Sequence, residues 1–279
     1  MPFAGWRSRG DSGMRRLGFY LDILGAYAGN TVKARLAYRE DFITGFFADL
    51  MTQAIGLAFV GAVFTRVPDI RGWRLPEILF IWGFAQVTIG LFYTVFLNLW
   101  DLSEEYIIEG RMDRVLLRPL PPLFQIITEK MYLEEISNVL VGIGLIVYAT
   151  KGLHLTWGPL DVLVAVLLVL GGTLIYAGLY TVLVSLTFWF KDRGSMISPF
   201  VQMQTYSNYP VTLFNRQLQI VLTWVIPYAF TAFYPSMYYL SRKEFMPYVW
   251  LTPVMGLAFF LLGCFVFNRG LREYESTGS

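Results

Sequence analysis

Charge is scarce in this chain: Asp, Glu, Lys and Arg make up 15% of its 279 residues, against 56% hydrophobic residues. Soluble domains carry about 25% charge, so there is too little polar surface here for a protein that faces water on all sides. Cysteine is limited to Cys264, which excludes an intrachain disulfide; its apolar surroundings suit a buried or lipid-facing thiol. Histidine is limited to His154, with no Cys, His or carboxylate near it at metal-ligand spacing. Neither a metal centre nor a Ser-His-Asp or Cys-His nucleophile is therefore expected, and no catalytic residue is assigned. No Gly-x-x-x-x-Gly-Lys-Ser/Thr loop occurs, so the chain has no ordinary cradle for nucleotide phosphates. A net charge of +2 gives no reason to expect nucleic acid.

Long apolar runs are abundant. A helix crossing a hydrocarbon core of about 30 Å needs roughly 20 mostly apolar residues. Residues 43–65, 76–98, 133–150, 160–190 and 248–267 satisfy that length. Residues 195–213 are apolar but interrupted by Pro199, Gln202, Gln204, Ser207, Asn208 and Pro210; residues 218–239 are broken by Pro227 and Pro235. Together these two pieces supply one crossing plus a re-entrant hairpin, or two crossings. With six crossings and the N-terminus inside, most of the 22 Lys and Arg fall in cytoplasmic segments, as the positive-inside bias requires. Seven crossings change that balance little; the proline breaks favour re-entry, because irregular backbone at membrane depth needs protein or water to satisfy it. The expected fold is thus an all-α polytopic membrane protein with six transmembrane helices and both termini cytoplasmic.

Ahead of the first span, Leu17, Leu21, Leu24, Tyr27, Ala28, Val32 and Leu36 recur at helical spacing, followed by Lys33, Arg35 and Arg39 around the end of that stretch. This predicts an amphipathic helix lying in the cytoplasmic interface among anionic lipids, either as an anchor or as a transmitter of force. No removable signal peptide is expected: the basic start, with Arg7, Arg9, Arg15 and Arg16, is not followed by a compact apolar region and a small-residue cleavage site.

Polar residues inside spans are costly and mark sites worth explaining. Asp49 and Gln53 share a face of the first span with Gly45, Thr52 and Gly56, and Gln86 shares one of the second with Gly83, Gly90 and Tyr93. Tyr176 and Tyr180 form an aromatic and polar strip on the fourth. These faces either pack helices together or line a translocation path. Glu134 and Glu135 begin the third span, but adjacent helical positions point apart, which disfavours an acid/base pair.

The connection 101–122 carries the most specific pattern. Glu104, Glu105 and Glu109 precede Arg111, Arg114 and Arg118, as on a short amphipathic helix whose charges can pair with a partner protein, and Arg118 with Pro119 ends it. Gly110, Asp113, Leu116, Arg118 and Pro119 reproduce a Gly-x-x-Asp-x-x-Leu-x-Arg-Pro motif that resembles the one in type-2 ATP-binding-cassette permeases, in particular the small six-span exporter permeases. Residues 34–42 and 225–235 are similar to the same subfamily.

The resemblance implies a permease domain at 43–267 between a cytoplasmic N-terminus with its interfacial helix at 1–42 and a cytoplasmic tail at 268–279. It implies a coupling helix within 101–122 and a re-entrant region within 214–243 that includes Pro227, Tyr234 and Pro235. Glu105, Glu109, Gly110, Arg111, Asp113, Arg114, Leu116, Arg118 and Pro119 are then the ATPase-coupling residues. The partners implied are two ATPase subunits, which bind the ATP and Mg, and a second permease subunit, identical or homologous, in the plasma membrane. The cargo expected is a drug, peptide, lipid or polysaccharide. A self-sufficient secondary carrier or a membrane enzyme is the alternative, and either would want titratable groups deep in the bundle.

Overall fold

The computed structural model describes residues 39–190 and 197–275, together with Gly25 and Gly29. Apart from Gly25 and Gly29, the expected interfacial helix at 17–37 lies outside the described residues, as does the basic pair Lys191 and Arg193. Among the described residues the structure is helical; β pairing is confined to one bridge between Ile70 and Trp73.

Five helices are long and apolar enough to cross a membrane, and each coincides with one of the five long apolar runs. They contain α1 (Arg39–Phe64), α2 (Leu75–Phe96), α5 (Ile136–Gly152), α6 (Pro159–Ser185) and α11 (Met246–Gly270). Between α2 and α5 lie α3 (Met112–Leu116) and α4 (Pro122–Glu129). Between α6 and α11 lie α7 (Thr187–Phe190), α8 (Ser198–Met203), α9 (Arg216–Ile220) and α10 (Phe233–Tyr239).

Two segments differ in form from a simple spanning helix. The apolar run 76–98 is not followed by a loop: after α2 the chain continues through a 3-10 turn (Leu97–Leu102) and a π turn (Ser103–Ile108), giving a helical run of 34 residues. No glycine or proline occurs between Gly90 and Gly110. At about 1.5 Å per residue that run is about 50 Å long, more than a ~30 Å apolar core requires.

The segment around 195–213, expected as a span, is not a continuous helix. It consists of α8, a 3-10 turn (Gln204–Asn208), extended backbone at Tyr209 and a further turn (Val211–Leu213). Gln204, Asn208, Thr212 and Leu213 bond to α2 or to the loop that leads into it. Tyr93 donates to Gln204 at 2.8 Å, Gln86 to Asn208 at 3.3 Å, Trp73 to Thr212 at 2.9 Å and Arg71 to the Leu213 carbonyl at 3.0 Å. The irregular segment therefore runs antiparallel to α2 over nearly its whole length. Backbone within it is satisfied by side chains at two places, the Leu213 carbonyl by Arg71 and the Phe200 carbonyl by Tyr228 at 2.9 Å.

Next comes a helical hairpin, Arg216–Val225 and Tyr228–Tyr239, whose arms bend by 74°. The bend falls at Pro227, as its ring demands. Pro235 does not break anything: it sits in the first turn of α10, where a backbone N–H would lack a helical partner in any case. At the hairpin tip the Thr231 carbonyl accepts from Thr88 at 3.0 Å and its hydroxyl meets Tyr176 at 3.2 Å, both in the middle of long helices. Both ends of the hairpin return to the end of the bundle where α2 and α6 begin. There Tyr239 donates to the Asp161 carbonyl at 2.6 Å, and Arg242 pairs with buried Glu77 at 3.1 Å while lying over the Trp73 ring.

The bundle is drawn together by glycine. Gly171 and Gly178 of α6 face Gly256 and Gly263 of α11, and a Cβ added at Gly178 would run into the Phe259 backbone. Without side chains there the two backbones approach closely, which is how helices associate in a solvent as apolar as they are. In contrast α1 is mostly uncovered: Ile43, Phe47, Met51, Ile55 and Phe59, one turn apart, are 49–67% exposed and form an apolar outer stripe.

Candidate functional site

At the end opposite the hairpin openings, the chain leaves the long helical run at Gly110. Its φ of +78° is a left-handed conformation that glycine adopts without steric cost, and it reverses the chain toward α3. The reversal is held by charge. Arg111 pairs with Glu105 and, at 3.0 Å, with Glu129, and its guanidinium lies over the Tyr106 ring. Tyr106 donates to Glu129 at 2.7 Å. Lys130 reaches Asp101 at 2.8 Å and Glu105 at 3.2 Å. Partial burial pulls the Lys130 ammonium down, but the Asp101 and Glu105 carboxylates outweigh it and leave it raised.

Beyond this cluster the finger is stapled from inside. Gln125 of α4 donates to the carbonyls of Val115 at 3.1 Å and Leu120 at 2.8 Å, and Met112 and Val115 are buried. Asp113 meets the C-terminal tail at Tyr274, whose hydroxyl is pushed up to about 12 by burial and by that carboxylate. Tyr274 in turn stands edge-on to Phe188, which packs on Phe267 of α11. The finger is thereby in contact with the ends of the fourth and last long helices.

What remains outward is a small, mixed surface. Glu109, Arg114, Leu116, Arg118 and Pro119 are exposed, and Leu117 is 85% exposed at the tip. Beside it lies a hollow of about 310 Å³ lined by Trp100, Asp101, Glu104, Glu105, Glu109 and Arg111, mostly acidic.

A second constellation is a polar seam within the bundle. Gln53 of α1 donates at 2.8 Å to both Gln86 of α2 and Asn138 of α5. Asn138 donates to Glu135 at 2.8 Å, Ser137 to Asp49 at 3.4 Å, and Gln86 continues to Asn208. Next to Asn208, Ser207 bonds to the Tyr176 hydroxyl at 3.0 Å. The seam thus joins α1, α2, α5, the irregular segment and α6.

A family model described as ABC-2 family transporter protein matches residues 50–278, most of the chain. The chain belongs to that family. No curated protein and no solved structure gives a significant match. As an ABC-2 permease it is a multi-pass membrane protein and the membrane component of an ATP-binding-cassette transporter, a class that works with ABC ATPase subunits.

The geometry sorts the residues anticipated in this ABC-2 chain. Asp49, Gln53 and Gln86 do come together, and Tyr176 joins them through Ser207. Tyr180 is not joined to that chain of bonds: it is buried against Phe92 and Trp100. Of the nine coupling candidates, Glu105 and Arg111 pair with each other and with Lys130 and Glu129 respectively. Gly110 and Asp113 shape and anchor the finger. Leu117 was not anticipated, though a signal existed: in the run Val115, Leu116, Leu117 on so short a helix, only one face can be buried. Asn208 was missed because it lies in irregular backbone, where no periodicity places a side chain. Among the described residues no cluster of His, Cys, Asp and Glu could hold a metal ion.

Proposed function

We propose that this chain is the permease subunit of an exporter, that its 109–121 finger docks in a groove of a partner ATPase, and that the polar seam opens as the cargo path. The observation that carries the reading is Leu117: a leucine 85% exposed at the tip of an element that is otherwise stapled and ion-paired from within. An apolar knob on a rigid stem, next to an acidic hollow, suits a partner with an apolar socket and a basic rim. The partner supplies the nucleotide site and holds ATP and Mg, in keeping with the lack of a phosphate-binding loop in this sequence.

In this reading the irregular segment at 197–213 is the fifth of six crossings and the hairpin re-enters from outside, with both termini cytoplasmic in the plasma membrane. Support comes from the bonds that lead that segment along α2 and from the return of both hairpin arms to one end of the bundle. Two such permeases, identical or homologous, would work with two ATPases. The exposed stripe of α1 and the seam behind it are where a cavity between permeases would form. Binding of ATP would shift the assembly between two packings, by as much as the ATPases bind one better than the other. The cargo class is a drug, peptide, lipid or polysaccharide, and outward movement follows from the resemblance to small exporter permeases.

Capture of an ABC ATPase, co-expressed with the tagged full chain and assayed after detergent extraction, tests the docking. The wild type should retain it and Leu117→Asp should lose it with membrane insertion unchanged; retention by the variant would overturn the docking role. Vanadate should stop cargo movement in vesicles holding the whole assembly, and movement that persists would point to a self-sufficient carrier.

A further inference from the structure

Consecutive helices of a bundle usually pack on each other, but α5 packs chiefly on α2 and α6 chiefly on α11. The two splay, and a cleft of about 610 Å³ opens between them, floored by Phe84, Val87 and Leu91 of α2. Its walls run along residues 143–151 of α5 and 162–170 of α6, about 12 Å of helix, close to one leaflet of a ~30 Å core. The walls are apolar except at the hairpin end. There Thr150, Lys151 and Trp157 complete the lining. Trp157 is fixed in place, stacked on Tyr239 at 4.5 Å and donating to Thr150 at 3.2 Å. Lys151 is exposed, and no described residue forms an ion pair with it.

We infer that this cleft is a binding site for one anionic phospholipid of the leaflet at the hairpin end. Its acyl chain lies on Val87 and Leu91, and its phosphate meets the Lys151 ammonium. Water cannot fill a groove that offers it almost no polar partner, whereas a hydrocarbon chain restores the missing packing contacts. The unpaired cation at the rim then selects the sign of the headgroup, and the indole of Trp157 lies at the level where aromatic rings meet headgroups. The inference rests on the membrane placement proposed above, but not on the ATPase partnership or on the direction of transport.

The test is lipid retention by the purified full chain, measured by native mass spectrometry after incubation with phosphatidylglycerol or with phosphatidylcholine of the same chains. The wild type should retain phosphatidylglycerol preferentially. Lys151→Gln should reduce that preference about fivefold, the loss of one basic contact to an anionic headgroup. Val166→Trp, which fills the cleft, should reduce retention of both lipids, whereas Val254→Trp on the exposed face of α11 should change neither. Glycerol 3-phosphate, which has the phosphate but no chains, should not displace the lipid. Equal retention of the two lipids by the wild type, or unchanged preference in Lys151→Gln, would overturn the site. ATPase capture by Lys151→Gln should stay intact, so a failed lipid site is distinguishable from a failed docking finger.

Discussion

The amide of Gln53 on α1 donates at 2.8 Å to the side-chain oxygen of Gln86 on α2, and the same nitrogen donates to Asn138 of α5. Since most of α1 faces outward, this forked amide is a principal tie between that helix and the bundle. A tie made of hydrogen bonds is one that can be exchanged for others when a cavity opens, whereas interlocked backbones cannot be exchanged so readily.

Replacing Gln53 by Leu should therefore lower stability only modestly, by about 1 kcal/mol, the usual worth of an interhelical hydrogen bond within a membrane. Transport by the assembled complex should fall much further. Thermal unfolding in detergent and vesicle uptake, measured on the same preparation, check the pair of outcomes; a large loss of stability with proportionate loss of transport would return Gln53 to packing alone.

Gly178 and Gly144 offer a contrast on two helices. A side chain at Gly178 meets the Phe259 backbone, while one at Gly144 meets nothing within 4 Å. Gly178→Leu should abolish recovery of folded protein, and Gly144→Ala should behave as wild type in size-exclusion chromatography.

At the hairpin end, Glu77 is only 6% exposed and Arg242 is its partner across the fold. Arg242→Gln should destabilise the chain by roughly 1–2 kcal/mol, a buried-pair cost reduced because the arginine is part exposed. Glu77→Gln combined with Arg242→Gln should recover part of that loss, because the buried carboxylate otherwise keeps only Arg74, a 3.7 Å contact to a largely exposed side chain. A double-mutant cycle on thermal unfolding reads the coupling directly.

Lys130 sets a pH dependence. Despite partial burial, Asp101 and Glu105 raise its pKa above the ordinary lysine value of 10.5. Its contribution to stability is then complete below the unfolded-state value and lost as pH rises through the raised one. Lys130→Gln should be less stable than wild type near neutral pH, and the difference should shrink as pH climbs above about 10.5. A difference that stays constant across that range would show the ammonium contributes nothing through its charge.

Arg114→Glu and Arg118→Glu probe the finger where it is exposed. Neither side chain supports the internal ion-pair cluster, so folding should be unchanged while ATPase capture weakens. Arg111→Glu should instead destabilise the finger, since it sets a carboxylate against Glu105 and Glu129.

Much of this architecture was legible in the sequence because lipid leaves so few options. An apolar run of about 20 residues must form a helix in order to satisfy its own backbone, so residues 43–65, 76–98, 133–150, 160–190 and 248–267 could be placed from composition and length. Pro119 likewise marked a stop, because its constraint is local to the backbone. The run 195–213 was not legible in the same way: its glutamines, serine and asparagine are unsuited to lipid, and nothing local says which helix will satisfy them. Only the tertiary structure decided that Tyr93, Gln86 and Trp73 do so. It likewise turned Glu105 and Arg111 inward while leaving Leu117 outside. Covalent geometry and hydrophobic length act within one segment and can be read along the chain. Hydrogen-bond partners and exposure depend on which segments meet, and that is fixed only once the helices have packed.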